Sequence, residues 1–398
     1  MKQFVMYALR TIAPIIYRIA FRVASLLPQN ENTIVFESFL GNQYSDNPKA
    51  IFLYIKENHP EFKLYWSLNK EVIPSFLNED IQIIKRLSLK WVLTMARAKY
   101  WVTNTRLPLW IPKRTNTVYL QTWHGTPLKK LGVDIEEVRM PGTTTEKYRR
   151  NFINEAVKWD YLVSPNPYST EIFKRAFQFQ GKVIESGYPR NDVLQKGLTS
   201  REDILKEMNL PLNKKIILYA PTWRDNQFYT VGKYKLNLHL DLELFKKEFG
   251  DNFIILLRSH YLISENINIE NYSGFVYDFS SYKDISDLYL VSDVLITDYS
   301  SVFFDYAILG RPILFFVYDI EEYRDQLRGF YFDMENYAPG PLLKTNDQLI
   351  EALKKLDLDN FKPDQNYQSF IKKFCSLEDG NATKRVVDTL LESENHTL

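Results

Sequence analysis

The feature that most constrains this chain is the spacing of its short apolar runs. TIVFES (33–38), FKLYWSL (62–68), IQIIK (81–85), VYLQTW (118–123), DYLVSP (160–165) and KVIESG (182–187) form one series, and LKWVLTMARAKYWVT (89–103) reads as a helix running into a strand. A helix through Ala50–Asn58 fits between the first two runs. Strands that alternate with helices predict a parallel sheet covered by helices on both faces. A second series follows: KIILYAPTW (215–223), FIILLRSH (253–260), GFVYDFS (274–280), DVLITDYS (293–300) and PILFFVYD (312–319). Between the two, Lys196–Lys214 is polar and holds one predicted helix, SREDILKEMNL, which marks the expected hinge.

A length of 398 residues is long for a single core and supports that division. The expected organisation is a helical segment over 1–30, a Rossmann-like domain over 31–195, a second over 196–375 and a closing segment over 376–398, with a helix at Asn381–Glu394. A formal net charge of +1 leaves no global electrostatic footprint for nucleic acid. The single cysteine, Cys375, excludes an intrachain disulfide and fits a reducing compartment. No zinc-type Cys/His spacing occurs.

The first thirty residues have their own character. Lys2, Arg10, Arg18 and Arg22 interrupt an apolar sequence that has no acid before Glu31. No run reaches the roughly 18 apolar residues a spanning helix needs. Basic residues inside the apolar part also fit a signal peptide poorly. The segment is expected to form a basic amphipathic helix on an anionic leaflet; the alternative is a helix packed on the protein itself.

In open α/β sheets, ligands bind beyond the carboxyl ends of the strands. The polar residues there are Thr222 and Arg224 in APTWRD, Arg258, Ser259 and His260 in LRSH, and Asp298, Ser300 and Ser301 in TDYSS. Guanidinium groups, an imidazole and hydroxyls suit a phosphate or diphosphate. A helix is expected from Ser300–Ser301 to Leu309, with Gly310 as its C-cap and Asp305 on the face of Ser301. Its start is a candidate anion site. In the first series, WHGTP (123–127) places His124 just after a strand. Only His124 and His260 end strands; His59, His239 and His396 read as structural or surface residues. Neither G-x-G-x-x-G after the first strand nor G-x-x-x-x-G-K-[ST] is present, which disfavours dinucleotide oxidoreductases and P-loop nucleotidases. G-x-S-x-G is absent too, against an α/β-hydrolase. Asp357–Asp359 reads as solvated surface, so a metal-free, cofactor-free transferase is the economical reading.

WHGTP (123–127), SPNPYST (164–170), GYPRND (187–192), YAPTWR (219–224), RSH (258–260), SDVLITDYSSVFFDYA (292–307) and PGP (339–341) together resemble the CDP-glycerol glycerophosphotransferases of teichoic acid synthesis. The resemblance covers roughly residues 33–375 and implies a GT-B fold, in which two Rossmann-like domains face across a cleft and the second holds the donor. It implies a monotopic enzyme at the cytoplasmic membrane face, with CDP-glycerol as donor and an undecaprenyl-diphosphate-linked disaccharide as acceptor. His124 matches the proposed base, with Trp123, Gly125, Thr126 and Pro127 around it. Arg258 and His260 match the R-x-H that holds the donor diphosphate, with Ser259 between them. Ser300, Ser301 and Asp305 match donor-binding positions, Thr222 and Arg224 the P-T-W-R strand end, and Arg190 and Asn191 join the cleft. Because polymerases of the family usually carry a large extra N-terminal region, the chain looks more like a priming enzyme. Glycerol against ribitol phosphate, teichoic acid against capsule, His124 against His260 as base, and homo-oligomer formation all stay open at this level. So does a GT-B glycosyltransferase that uses a sugar nucleotide. The basic stretch Arg139–Arg150 is either a lipid-diphosphate contact or a solvated loop.

Overall fold

The computed structural model describes residues 2–138, 142–197, 200–222, 224, 228–230, 233–234, 238–259 and 269–392. It divides into two compact units. The first comprises Met1–His124, Arg149–Arg190 and Asn381–Leu398; the second comprises Gly125–Tyr148 and Asn191–Gly380.

The first unit is built on strands β1 (Asn30–Glu37), β2 (Lys63–Leu68), β3 (Ile83–Lys85), β4 (Ala98–Thr103), β5 (Val118–Gln121), β6 (Tyr161–Ser164) and β7 (Lys182–Glu185). They form one seven-stranded sheet in the order β3-β2-β1-β4-β5-β6-β7, and every pairing is parallel. The order reverses between β1 and β4, where Glu37 lies beside Thr103. Continuous apolar runs suit strands covered on both faces. Accordingly Ile34, Phe36, Trp66, Tyr100 and Val102 are buried in one core. Val386, Val387 and Leu390 belong to that same core, brought there by the helix Ala382–Glu392.

In the second unit, β8 (Lys215–Ala220), β11 (Phe253–Leu257), β12 (Val276–Asp278), β13 (Val294–Thr297), β14 (Ile313–Phe316) and β15 (Leu342–Leu343) make a parallel sheet ordered β12-β11-β8-β13-β14-β15. β9 (Phe228–Thr230) and β10 (Lys233–Tyr234) form a separate antiparallel ribbon. Strand order reverses between β8 and β13, with Ala220 opposite Thr297. All the strands expected from the apolar runs are present. The chain crosses from the first unit to the second at Arg190–Asn191, ahead of the polar stretch that suggested a hinge. The helix in that stretch, Arg201–Glu207, buries Ile204 and Leu205 within the second unit.

Three helices of the first unit bear on function: α1 (Lys2–Ala24), α2 (Asp46–Asn58) and α3 (Leu89–Arg97). Phe21 and Ala24 of α1 are buried, and the Tyr17 hydroxyl donates to the Leu87 carbonyl at 2.6 Å. Phe21 meets the Trp101 ring edge-on at 6.0 Å. The opposite side leaves Ile12, Ile15, Ile16, Ile19 and Val23 more than half exposed, together with Leu26 at 85%. Arg18 and Arg22 are exposed as well. The segment thus packs on its own unit and still presents an aliphatic, basic face. Among the described residues, no helix is long and apolar enough to cross a membrane.

Candidate active site

After β5 the backbone turns sharply. Trp123 takes a left-handed conformation, φ 53°, which costs a bulky residue about 1–3 kcal/mol and persists only where neighbours enforce it. The Trp123 N–H is donated to the Gln121 side-chain oxygen at 3.0 Å, and its indole stacks on the His124 ring at 4.6 Å between centroids. Phe39, itself at φ 46°, meets the imidazole edge-on at 5.8 Å.

The imidazole is oriented through one nitrogen. His124 Nδ1 lies 2.7 Å from the Asn104 carbonyl oxygen. A carbonyl only accepts, so Nδ1 carries the hydrogen and Nε2 keeps its lone pair. Asn104 follows β4, and its side-chain oxygen accepts from the Phe39 N–H at 2.9 Å. Burial pulls the His124 pKa below its ordinary 6.5, against the raising effects of the Asn104 carbonyl and Asp46, while Arg190 and Arg106 lower it further. The ring is therefore a neutral base at neutral pH. Arg190 stands beside it: Nη1 donates to Asp46 at 2.6 Å and to the His124 carbonyl at 3.0 Å.

The residue after His124 is Gly125, which belongs to the second unit. A Cβ there would sit 2.5 Å from Ser301 Oγ. Only glycine lets this backbone lie against the serine. Gly125 and Ser301, more than 170 residues apart in sequence, thereby approach closely within the second unit. Thr126 and Pro127 are buried next to it.

At the second switch point, the Thr222 N–H is donated to Asp298 Oδ1 at 2.8 Å. Its hydroxyl is buried and has no hydrogen-bond partner among the described residues. Ser300 and Ser301 are half-buried, and Ser301 caps its helix without a side-chain bond. That helix, Val302–Ala307, is shorter than expected, and Gly310 (φ 63°) follows a turn beyond it. The Arg258 Nη1 group is caged by the carbonyls of Phe279, Ser280 and Tyr282 at 2.7, 2.8 and 2.8 Å. Ser259 donates its N–H and its hydroxyl to the Ser280 oxygen, at 3.0 and 2.6 Å.

Two residues grouped by sequence with the ligand sites have their polar atoms engaged elsewhere. All five Arg224 N–H groups are used, on Asp319 (twice), Asp298, the Thr222 carbonyl and the Tyr318 hydroxyl. Tyr299, Tyr318 and Tyr323 surround the guanidinium, each ring centroid between 4.9 and 5.4 Å away. Burial opposes its charge, but Asp298 and Asp319 hold its pKa above the ordinary value. Arg224 is thus joined to Thr222 through Asp298, which accepts the Thr222 N–H. Asp305 is buried and accepts from the Asn191 side-chain amide at 3.0 Å, so these two residues are partners of one another. His260 and Trp223 lie outside the described residues, as do residues 139–141 of the basic stretch. Sequence reasoning missed Asn104, Gln121 and Asp46. Each lies at a strand end or helix start, but only the folded chain puts its polar atom on the WHGTP turn.

Residues 19–392 match the model of a family described as CDP-glycerol:poly(glycerophosphate) glycerophosphotransferase. A teichoic acid poly(glycerol phosphate) polymerase of Bacillus spizizenii is 58% identical over 395 residues, covering 98% of this chain and 100% of that protein. A polymerase of the same description from Bacillus subtilis is 57% identical over 380 residues, covering 95% of this chain and 51% of that protein. The chain thus spans about half the length of one such relative and all of another. A teichoic acid glycerol-phosphate primase of Bacillus subtilis is similar at 27% identity over 385 residues, covering 93% of this chain and 94% of that protein. Among solved structures, the wall teichoic acid polymerase TagF soaked as a variant with CDPG superposes with a TM-score of 0.86 at 41% identity, covering 99% of this chain and 98% of that one.

Proposed function

The chain belongs to the CDP-glycerol:poly(glycerophosphate) glycerophosphotransferase family, and from that premise we propose that it transfers glycerol phosphate from CDP-glycerol to a hydroxyl of a teichoic acid acceptor, releasing CMP. The observation that carries this reading is the imidazole of His124, with its hydrogen committed to Asn104 and its other nitrogen free to accept a proton. The acceptor hydroxyl oxygen forms a bond to the β-phosphorus as its proton passes to Nε2. The bond from that phosphorus to the bridging oxygen breaks, and CMP departs with the electron pair. Charge grows on the phosphoryl oxygens and on CMP, and stabilising it is the largest electrostatic task. Arg258 and the hydroxyls of Thr222, Ser300 and Ser301 are assigned to that task, with His260 beside Arg258 by resemblance. The place of Thr222, Ser300 and Ser301 beyond the ends of the neighbouring strands β8 and β13 supports this grouping.

The acceptor is proposed to be a growing poly(glycerol phosphate) end rather than the unprimed lipid-linked disaccharide. Length had suggested priming. Yet a polymerase is matched over its whole length by this chain at 58% identity, against 27% for a primase, so length does not separate the two activities. The exposed aliphatic face of α1, with Arg18 and Arg22, supports work at the cytoplasmic membrane surface.

The test is a donor and acceptor screen with mass analysis of the products, using CDP-glycerol, CDP-ribitol and UDP-sugars against lipid disaccharide with and without a glycerol phosphate primer. Extension of the primed acceptor by CDP-glycerol alone is expected. Addition only to the unprimed lipid would return the chain to the priming step. His124→Ala is expected to abolish turnover and to leave CDP-glycerol binding intact. Lost binding with surviving chemistry would assign the base to His260.

A further inference from the structure

Asn47 is fully buried at the second position of α2, a place where nothing in the chemistry of helix initiation requires an amide. Its side chain bridges two segments far apart in sequence. Nδ2 donates to the Trp123 carbonyl at 3.1 Å, and Oδ1 accepts from the Arg190 N–H at 3.1 Å. That carbonyl belongs to the strained, left-handed residue that precedes His124. The Arg190 guanidinium in turn donates to the His124 carbonyl at 3.0 Å. The peptide units on both sides of His124 are therefore held, one by Asn47 directly and one by the arginine that Asn47 anchors. With Gln121 on the Trp123 N–H and Asn104 on Nδ1, this fixes where Nε2 points. One short group must donate and accept at once. Aspartate cannot donate, serine is too short to reach both segments, and glutamine is too long.

We propose that Asn47 is a positioning residue for proton transfer at His124: its amide locks the Trp123 turn and Arg190 so that the imidazole meets the acceptor hydroxyl in one orientation. The proposal rests on the reading of His124 as base. Misplacing a reacting group by about 1 Å costs roughly 100-fold in rate, and that is the loss in kcat expected for Asn47→Ala, with KM for CDP-glycerol unchanged. Releasing the turn also admits water to the ring. The charged groups acting on it are Asp46, Arg190 and Arg106. The acid limb of the kcat profile should therefore rise toward the ordinary value of 6.5.

The experiment compares Asn47→Ala, Asn47→Asp and His124→Ala in the full chain, by thermal melt, CDP-glycerol binding and kcat against pH. Asn47→Asp keeps the acceptor for Arg190 but cannot donate to the Trp123 carbonyl, so it is expected to lose kcat beyond the loss of folded protein that a buried carboxylate causes. It carries the test if the alanine variant does not fold. A wild-type kcat and acid limb in Asn47→Asp would overturn the proposal, as would a loss that merely follows the folded fraction at every pH. Should His124→Ala turn over normally, the reading of the base fails whatever Asn47 does. If His124→Ala is inactive while the Asn47 variants are normal, only the role of Asn47 fails.

Discussion

The strand ends of the two sheets solve different problems with different chemistry. Around His124 the hydrogen bonds come from the Asn104 carbonyl, the Gln121 amide and Arg190, whose guanidinium bridges the His124 carbonyl and Asp46. Around Thr222 the organising groups are ions: Arg224 lies between Asp298 and Asp319, at 2.9 and 2.7 Å, inside a ring of tyrosines. A base must be aimed and kept neutral, which dipoles accomplish without changing its charge. A site for a diphosphate must stay rigid while a highly charged ligand comes and goes. In the proposed reading its scaffold ions are neutralised among themselves, and with the Thr222 N–H held by Asp298 the Thr222 hydroxyl is left for the ligand.

That contrast is open to attack, beginning where the expected effect is largest. Arg224→Ala leaves the buried Asp298 and the half-buried Asp319 without their cation, and breaking such a pair costs about 3–5 kcal/mol. A large fall in the melting temperature should result, with the damage to CDP-glycerol binding following from unfolding. A stable variant that merely binds the donor less well would instead make Arg224 a ligand-contacting residue. Gln121→Leu, in the neutral cluster, removes the acceptor of the buried Trp123 N–H and the donor to the Thr105 carbonyl, and leaving a buried group unpaired should cost about 1–3 kcal/mol. Its effect on kcat should exceed its effect on stability, the reverse of Arg224→Ala.

Gly125→Ala is a sharper probe, because the new methyl meets Ser301 Oγ at 2.5 Å. Turnover should fall about 10-fold or more, as expected for misplaced reacting groups. Because Ser301 is itself assigned to the ligand, the clash is read from the melting temperature: Ser301→Gly should recover stability in the Gly125→Ala background, and an additive pair would show that the two residues do not touch. The smallest effect concerns pH. Since burial holds the His124 pKa below 6.5, the acid limb of kcat should have its midpoint below that value. The linked stability has the same sign. The unfolded chain takes up the proton first, so stability present above 6.5 is lost as pH falls through the lower, folded value. A midpoint above 6.5 would mean that the ring is solvated or paired with a carboxylate in the working enzyme.

Much of this fold was legible because its strands are covered on both faces and read as unbroken apolar runs, as in KIILYA and FIILL. His124 was legible for a related reason: a titratable ring directly after such a run lies at a carboxyl edge. The same rule placed Arg224 and Asp305 among ligand contacts, and position alone does not reveal whether a polar group is already satisfied. The partners of Arg224 are Asp298, Tyr318 and Asp319, more than 70 residues further on. Asn191, the partner of Asp305, lies 114 residues before it. Local sequence carries no trace of such pairings. Nor does it show that Trp123 and Asp46 adopt positive φ, since neither is glycine and the surrounding hydrogen bonds enforce both conformations.

The helix Ala382–Glu392 has a consequence for biosynthesis. It completes the hydrophobic core of the first unit with Val386, Val387 and Leu390, yet the ribosome makes it after every residue of the second unit. The second sheet can therefore close while the chain is still being made, whereas the first waits for the helix that packs on α2. During that interval the nascent first unit is the aggregation-prone part of the molecule. Chaperone dependence and sensitivity to changes near residue 390 should consequently be felt in the half of the protein that was translated first.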